Sequence, residues 1–426
     1  MSVTFSDSLS LPGVTYASTQ KLEALLKKNH VFHIYFDGVK HNHVAHNLIA
    51  VYSMGASPDQ LQAIYDQHSQ IQKPPLPLHF SDPAQALSNP ETFIAHLGDG
   101  QYYPDYLAFF DHEIATHGVD HTFQTFYGSL SSTVAQQLRF QGLNGVLHGL
   151  IHVGYGLELS HPLLLAEGLA LCAVEKPDFD TKTTAFSQLL FNPAAKTTHG
   201  GAGKRLLEVF EDLHKEKSTF VGDSTALNYD TDRGRLGAKE SSTLLETICS
   251  QWHVKADAKD IKAKLDELLD LTFHLYAGTM QKSEANGAPF FDFFLMHTLT
   301  SGFFLPLVIS KLQTVELQAH MLQVICRWFA VEYVLAGLPS IHTPAAAGTD
   351  TNGSLLWSEI VQEALEDKDE HVSKVIRALI KLDVARGKLE PTNAYLKAAQ
   401  DTVAFRRLQK NAKPPFWYMT GLGYKL

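Results

Sequence analysis

The chain has 426 residues, of which 45% are hydrophobic and 19% charged, a globular composition with ample material for a core. Its formal net charge of −10 excludes the basic surface that binds nucleic acid or anionic membranes, so neither partner is expected. The chain also holds 22 histidines, about twice the number that average composition gives. Since histidine is the commonest metal ligand, this surplus directs the search for a functional site.

The cysteines and the N-terminus indicate the compartment. Cys172, Cys249 and Cys326 are widely spaced in apolar stretches, which excludes a disulfide framework and favours buried thiols. The N-terminal residues resemble no signal peptide, and no run of about 18 apolar residues occurs. The expected location is therefore the cytoplasm, with no membrane association.

Helical periodicity dominates the first part of the chain, with breaks at Gly55, Gly118 and Pro162. A short strand is predicted at Val31–Phe36 and a proline-rich loop at Lys73–Phe80. The predicted helices and long apolar stretches are Lys21–Asn29, His43–Met54, a helix starting at Pro58, Tyr106–His117, Val119–Leu130, Val134–Leu159 and Leu163–Val174.

The second part of the chain continues in the same way. The predicted helices and apolar segments are Lys204–Glu216, Leu244–Leu275, Phe290–Ile309, Ala319–Leu335, Leu355–Leu365 and His371–Val384. Asn228–Lys239 is polar and contains glycine, which favours a mobile loop, and Thr343–Ser354 is a loop of small residues. Neither a repeat nor a linker divides the sequence. We therefore predict an all-α fold, with one multi-helix domain over residues 1–426 and a metal site between core helices.

The sharpest chemical signal is the segment GVLHGLIHVGYGLE. Its histidines, His148 and His152, are four residues apart, a spacing that places both imidazoles on one face of a helix where they can reach a single ion. Gly145 and Gly149 leave room there for an ion, a substrate or a neighbouring helix. Taken alone, such a pair is more often two core histidines bonded to carbonyl groups.

Two other segments contain candidate ligands. His43 and His46 are three residues apart in HNHVAH and share a helical face, although solvated histidines at a helix start are the simpler interpretation. His297 lies in the apolar segment FFLMHTLTSGFFLP, where a lone histidine is usually a hydrogen-bonded core residue. As a ligand, it would complete a set drawn from distant helices.

Charged residues near these segments have simple interpretations too. Glu158 and Glu167 are acidic candidates, and Glu167 could orient a ligating histidine, although a salt bridge is the commoner role. Lys374 shares a helical face with Lys381 and lies near Arg377, a pattern typical of a solvated cationic stripe.

Several cofactor motifs are missing. No G-x-G-x-x-G follows a strand, and no P-loop, G-x-S-x-G or H-E-x-x-H occurs. The glycine-rich segment His199–Lys204 could cradle a phosphate at a helix start, but it has no βαβ context. A flavin or nicotinamide enzyme on a Rossmann fold is therefore disfavoured.

Taken together, the segments HNHVAHNLIAVYSMGAS, HGLIHVGYGLE with LAEGLAL, FFLMHTLTSGFFLP and HVSKVIRAL resemble the questin oxidase-like family. The resemblance extends from roughly His41 to Ala385. It implies a fungal polyketide enzyme that oxidatively opens the ring of an anthraquinone-type aromatic. Since the flavin and nicotinamide motifs are missing, we favour a non-haem metal and dioxygen.

The resemblance also implies the ligands and the reaction. It places Fe²⁺ among the histidines of the matching motifs, namely His43 or His46 with His148, His152 and His297. It singles out Lys374, which CO₂ would convert to a carbamate that supplies an anionic ligand to an otherwise neutral set. With His148 and His152, Lys374 would form the catalytic centre of a dioxygenase or monooxygenase acting on a small aromatic substrate of secondary metabolism.

Three alternatives remain at this stage. A flavin- and NADPH-dependent monooxygenase of the Baeyer–Villiger type would need a bound flavin. A zinc hydrolase could use the same histidines without dioxygen. A helical binding protein without catalytic activity would hold no stoichiometric metal.

Overall fold

The computed structural model describes residues 11–38, 40–177, 203–222, 236, 239–284, 287–346, 355–385, 393–409 and 417–424. It divides into two compact units. Unit 1 comprises Met1–Lys176 with Ala345–Val403, and unit 2 comprises Pro177–Pro344 with Ala404–Leu426. The predicted single domain stays a prediction, whereas the mainly helical fold is confirmed.

Within the described residues, the first part of unit 1 contains ten helices and one short hairpin. The elements are α1 (Tyr16–Asn29), β1 (Tyr35–Asp37), β2 (Lys40–His41), α2 (Val44–Ser53), α3 (Pro58–Ser69), α4 (Pro83–Leu87), α5 (Pro90–Ala95), α6 (Tyr103–His117), α7 (Val119–Phe123), α8 (Thr133–Gln141), α9 (Asn144–Glu158) and α10 (Pro162–Val174). A 3-10 turn occupies Gly100–Tyr102, and a π turn occupies Gln124–Gly128. The strands β1 and β2 pair antiparallel.

The described part of unit 2 follows, and the chain then returns to unit 1. The elements are α11 (Leu206–Lys215), α12 (Lys217–Val221), α13 (Lys239–Cys249), α14 (Ala258–Phe273), a π turn (His274–Gly278), β3 (Gln281–Lys282), β4 (Pro289–Phe290), α15 (Phe293–Gly302), α16 (Leu305–Ser310), α17 (Val315–Leu335), α18 (Trp357–Glu366), α19 (Glu370–Ala385) and α20 (Ala394–Gln409). Antiparallel pairing joins β3 to β4.

Local sequence signals explain several helix ends. Ser57 caps α3 by accepting a hydrogen bond from the backbone N–H of Gln60, and Pro58 occupies the first turn as predicted. Gly118, with φ of +86°, ends α6 at the predicted break. The predicted helix Leu244–Leu275 is wrong as one element, because Asp257 caps the start of α14 and divides it from α13.

Two further predictions need correction. Within Val31–Phe36 only the last two residues are in a strand, which extends to Asp37. The apolar stretch Val134–Leu159 forms two helices, α8 and α9, and the first turn of α9 contains backbone that is not right-handed. Most of the predicted mobile loop at 228–239 and of the glycine-rich segment at 199–204 lies outside the described residues.

The core of unit 1 is built around buried helices. α10 packs along both α9 and α6, while α2 packs against α1, α3 and α19. In unit 2, α14 packs against α15 and α17, and α13 also contacts α17. Among the described helices, none combines the length and apolar character needed to cross a bilayer.

Candidate metal centre

The first turn of α9 has an unusual backbone. Gly145, Val146 and Leu147 have φ of +54°, +57° and +65°, so three consecutive residues adopt the left-handed conformation before His148. For residues other than glycine, this conformation costs roughly 1–2 kcal/mol each, and a β-branched valine is rare there. The turn directs the Gly145 carbonyl oxygen at His148 Nδ1, 2.6 Å away. Strain of this kind is common where a side chain must be held for function.

Glycines allow the helices around α9 to approach closely. A Cβ on Gly149 would lie 2.6 Å from the Cα of Gly142, and one on Gly168 would lie 2.8 Å from the backbone nitrogen of Val153. Of the three uses considered for Gly149, the structure therefore shows close packing of a neighbouring segment. Because Gly168 brings α10 against the backbone of α9, Glu167 reaches the side chain of His152.

Two pairs of histidines face each other between α9 and the start of α2. His43 Nε2 lies 2.6 Å from His148 Nε2, and His46 Nε2 lies 3.1 Å from His152 Nδ1. The four-residue spacing on α9 thus matches the three-residue spacing of His43 and His46. The structure brings together four of the histidines that the sequence predicts as ligands.

In the pair of His43 and His148, the Nδ1 nitrogens face away from the partner ring, and their hydrogen bonds determine the tautomers. His148 Nδ1 donates to the Gly145 carbonyl, and His43 Nδ1 donates to Glu370 Oε1 at 3.1 Å. If both rings are neutral, their two Nε2 atoms carry lone pairs that point at each other. Burial, with the nearby Lys374 charge, lowers the pKa of His43 well below its ordinary value. Two facing acceptor nitrogens are unfavourable unless they share a positive species, either a proton or a metal ion.

In the second pair, His46 and His152, a carboxylate holds the His152 ring. His152 Nε2 donates to Glu167 Oε2 at 3.0 Å, which leaves its Nδ1 unprotonated and facing His46. Burial alone would raise the pKa of Glu167, but the hydrogen bonds from His152 and His30 outweigh it and lower that pKa to about 2. His46 Nδ1 is buried with no hydrogen-bond partner among the described residues. Glu167 therefore bonds both His152 and His30, and its role in orienting a ligating histidine stays a prediction.

His41 and Glu175 also belong to the site, although the sequence reasoning did not select them. His41 stacks on His148 with ring centroids 4.1 Å apart, and its Nε2 donates to Glu175 Oε2 at 2.7 Å. Tyr35 donates to the same carboxylate oxygen at 3.2 Å. Gly145 is required here as well, since a Cβ would lie 2.4 Å from Glu175 Oε1. The position of His41 inside HNHVAH was the available signal.

Helix α19 contributes the remaining polar groups. Ser373 donates to Asn47 Oδ1 on α2 at 2.7 Å, and Arg377 donates to Ser53 Oγ and to Glu158 Oε2. These bonds fasten α19 to α2 and α9. The ring of His371, which the sequence reasoning also did not select, lies 5.2 Å from that of His43.

Lys374 lies on the buried face of α19. Its side chain is 0% exposed, and its Nζ has no hydrogen-bond partner among the residues that the structure describes. Burial lowers the pKa of Lys374 to about 8, against the opposing effect of Glu370 and Asp369. The solvated stripe predicted from the pattern alone is therefore wrong. Arg377 is equally buried, and Lys381 bonds the buried carboxylate of Glu158.

The other predicted residues have different surroundings. His297 belongs to unit 2, where it is buried on α15 and its Nδ1 donates to the Phe293 carbonyl at 2.7 Å. Its role as a ligand stays a prediction. Glu158 forms a buried ion pair with Arg377 in unit 1, which is the commoner role expected for such a residue.

The donor set of unit 1 suits a transition metal. Ligand atoms of His41, His43 and His148 lie within 4.8 Å of one another, as do those of His43, Glu370 and His371. Imidazole nitrogens with a carboxylate are typical ligands of non-haem iron and zinc. Their outer nitrogens bond carbonyl and carboxylate groups, as those of metal-bound histidines usually do. The facing lone pairs of His43 and His148 also fit a bound cation.

A mainly helical chain with such a histidine cluster is consistent with a non-haem metalloprotein. The model of the family described as "Questin oxidase-like" matches residues 40–379, which is most of the sequence. The chain therefore belongs to the questin oxidase-like family, as the resemblance of its motifs predicted.

Curated relatives agree with this assignment. The "Questin oxidase" of Aspergillus fumigatus is 29% identical over 83% of this chain and 79% of its own length. The "Oxidoreductase AflY" of Aspergillus parasiticus is 28% identical over 87% and 75%, and the "Baeyer-Villiger monooxygenase dmxR6" of a Cryptosporiopsis species is 27% identical over 85% and 80%. The chain is an oxidoreductase, which confirms the predicted enzyme class.

Proposed function

We propose that this chain is a non-haem iron oxygenase that cleaves a ring of a polycyclic, anthraquinone-type aromatic with dioxygen. The observation that supports it most strongly is the 2.6 Å approach of His43 Nε2 to His148 Nε2, both with hydrogen-bonded Nδ1 atoms. A divalent metal would satisfy both lone pairs at once, with the two nitrogens moved apart to about 3 Å so that each binds at about 2.1 Å. Bound iron would supply the redox chemistry by which dioxygen reacts with an aromatic ring.

The residues proposed to hold the metal in unit 1 are His43, His46, His148 and His152. Each would present one ring nitrogen to the ion. The carbonyl of Gly145 and the carboxylates of Glu370 and Glu167 would hold three of these rings by their other nitrogens. Such outer partners fix ring orientation and increase ligand basicity.

Lys374 is proposed as the anionic ligand. A neutral imidazole set leaves the charge of Fe²⁺ uncompensated, and the Lys374 amine lies close enough to His43 and His46 to lower the pKa of each. With its own pKa near 8, a fraction of the amine is unprotonated at neutral pH. The free amine attacks CO₂, an N–C bond forms and one proton is released. The resulting carbamate oxygen would complete the ligand set.

The substrate class comes from the relatives. Two of them are named for questin oxidation and for Baeyer–Villiger oxygen insertion, both reactions of oxidoreductases. We extend this to a phenol or quinone of polyketide origin, with Phe and Tyr side chains as binding partners. Tyr155, which stacks on His46 with ring centroids 5.0 Å apart, is one aromatic side chain at the site.

Metal analysis and oxygen consumption test the proposal together. Protein supplemented anaerobically with iron should contain about one iron per chain, and an anthraquinone substrate should consume dioxygen without NADPH. Stoichiometric zinc with hydrolysis in the absence of dioxygen would support the hydrolase instead. Protein without any stoichiometric metal would leave the third alternative, a binding protein.

A flavin-dependent monooxygenase is the second candidate, since a relative is named a Baeyer–Villiger monooxygenase. The sequence lacks the dinucleotide-binding motif that such an enzyme commonly uses. We therefore expect no flavin in the purified protein. A stoichiometric flavin absorbance spectrum, or turnover that strictly requires FAD and NADPH, would favour the second candidate.

A further inference from the structure

A chain of alternating imidazole and carboxylate groups leads away from the candidate metal centre. His152 Nε2 donates to Glu167 Oε2 at 3.0 Å, and Glu167 Oε1 accepts from His30 Nδ1 at 2.7 Å. His30 Nε2 then donates to Asp111 Oδ2 at 3.0 Å. The Asp111 side chain is 40% exposed, whereas that of Glu167 is 4% exposed. The chain therefore connects the centre with the surface of unit 1 through three helices.

We propose that His30 and Asp111 are positioning residues for the candidate metal centre, acting through Glu167 on His152. His30 follows the last residue of α1, while Glu167 lies on α10 and Asp111 on α6. By anchoring Oε1, His30 aims Oε2 at the His152 ring. The role at the metal rests on the proposed function, whereas the effect on the His152 tautomer does not.

Both ring nitrogens of His30 face a carboxylate oxygen that accepts a hydrogen bond. An imidazole can donate from both nitrogens only when it is protonated, and both nitrogens of His30 contact carboxylate oxygens. Although burial opposes the charge, Asp111 and Glu167 raise the pKa of His30 to about 10. His30 is therefore a cation that fixes one oxygen of a buried carboxylate by a charge-assisted hydrogen bond.

The orientation of Glu167 determines which nitrogen of His152 carries the proton. With Oε2 held 3.0 Å from Nε2, the proton stays on Nε2 and Nδ1 remains unprotonated toward His46. Without His30, the carboxylate loses the contact that fixes its rotation. The Nδ1–H tautomer of His152 then becomes populated, and in that form Nδ1 cannot bind a metal.

The same two helices provide a matched control. His161 Nε2 donates to Glu23 Oε2 at 3.4 Å, so this pair also joins α1 to α10. His161 additionally caps α10 by accepting a hydrogen bond from the backbone N–H of Leu164. Replacing His161 therefore weakens the same helix contact without touching Glu167. An effect that is merely structural should be at least as large in this variant.

The first measurement is the tautomer of His152 in metal-free protein, by nitrogen NMR of ¹⁵N-histidine-labelled chain. Wild type should show a protonated Nε2 and an unprotonated Nδ1. His30→Leu should shift His152 toward the Nδ1–H form, whereas His161→Leu should not. His30→Gln, whose amide can still donate to Glu167, should restore much of the wild-type signal. Asp111→Asn, at a half-exposed position, provides a second and milder test if His30→Leu folds poorly.

The second measurement is the affinity for Fe²⁺, by competition with a chelator. We expect His30→Leu to bind about 10–100-fold more weakly, and His161→Leu to bind like wild type. An unchanged His152 tautomer in both His30→Leu and Asp111→Asn, or equal losses of affinity in His30→Leu and His161→Leu, would refute the positioning role. If wild type binds no metal while the tautomer shifts as expected, the proposed function fails and the positioning of His152 stands.

Discussion

The histidines of the two units have different hydrogen-bond partners. In unit 1, His43 and His46 face His148 and His152 through ring nitrogens, and carboxylates or a strained carbonyl hold three of those rings. In unit 2, each of three histidines donates from Nδ1 to a backbone carbonyl oxygen: His214 to Leu338, His274 to Asp270 and His297 to Phe293. A bond to one backbone carbonyl is the usual way in which a neutral imidazole is satisfied.

Hydrogen-bond partners separate these two groups of histidines, whereas burial does not. His152 is 1% exposed and His297 is 0% exposed, so burial does not separate them. The pair His43 and His148 presents two deprotonated nitrogens to each other, an arrangement that is unfavourable without a cation. The comparison therefore makes the histidines of unit 1 the first candidates for substitution.

The largest expected effect follows removal of a ring on α9. His148→Ala and His152→Ala should each lose bound metal and activity, because each removes a nitrogen from the facing pairs. Both variants should stay folded, since the remaining core of α9 is apolar. Metal analysis with circular dichroism measures both outcomes. His274→Ala in unit 2, which removes a bond to a backbone carbonyl, is the control and should retain metal.

Full metal occupancy in both α9 variants would contradict the comparison. The histidine pairs would then be structural, held together by a shared proton. A metal loss in His274→Ala equal to that in His148→Ala would also argue against it, because that loss would reflect general destabilisation.

The next effect concerns the anionic ligand. Lys374→Ala should abolish turnover, and Lys374→Glu, which keeps a carboxylate at shorter reach, should retain at most a trace. Lys368→Ala is the control, because this lysine is exposed and precedes α19; its effect on stability should stay within about 0.5 kcal/mol. Lys381 is unsuitable as a control, since it bonds the buried Glu158 carboxylate.

Activity assays and carbon NMR with ¹³C-labelled bicarbonate measure these outcomes. A carbamate signal should appear in wild type and be missing from Lys374→Ala. Wild-type rate and metal content in Lys374→Ala would refute the carbamate, although the histidine site would survive that result.

The next prediction tests whether His297, in unit 2, is also a metal ligand. The family resemblance predicts it as a ligand, so His297→Ala should lower the iron content as His148→Ala does. His297→Gln is the more conservative variant, because its amide can donate to the Phe293 carbonyl as His297 does. Iron retained at wild-type level in both variants would remove His297 from the proposed ligand set.

How much the sequence predicts depends on the range of the interaction. The spacing of His148 and His152 is a local property of a helix, so it was readable without a structure. The left-handed turn before His148 was not, because Val146 and Leu147 have no preference for that conformation and only tertiary contacts hold it. The burial of Lys374 could not be predicted from the sequence pattern either. Lys374 and Arg377 lie on a face of α19 that contacts α2 and α9, and a cationic helix face normally indicates solvent exposure.

The residues that surround the four facing histidines were also hard to predict from the sequence. Glu167 was a candidate by its apolar surroundings alone, but His30 is 137 residues distant in sequence and had no motif to link the two. His41 and His371 lay within segments that carried the resemblance. The fold of unit 1 makes neighbours of these residues, and single-sequence reasoning has no access to that.

The smallest expected effect is on the free energy of unfolding, and it tests the burial of Lys374 in the absence of metal. In metal-free, CO₂-free protein, burial holds the pKa of Lys374 near 8, below its ordinary value of 10.5. At pH 7 both the folded and the unfolded chains carry the proton, so the folded state bears the full cost of a buried ammonium. Between pH 8 and pH 10.5 the unfolded chain binds more protons at this position, and the free energy of unfolding therefore rises with pH.

Lys374→Met lacks this group, so its stability advantage over wild type should shrink by up to roughly 3 kcal/mol across that window. Urea unfolding of both proteins at pH 7 and at pH 10 measures the difference, and Lys368→Met should show no such change. A constant difference between wild type and Lys374→Met would mean that the folded protein already pairs or hydrates this lysine, and the amine would then not be available to CO₂.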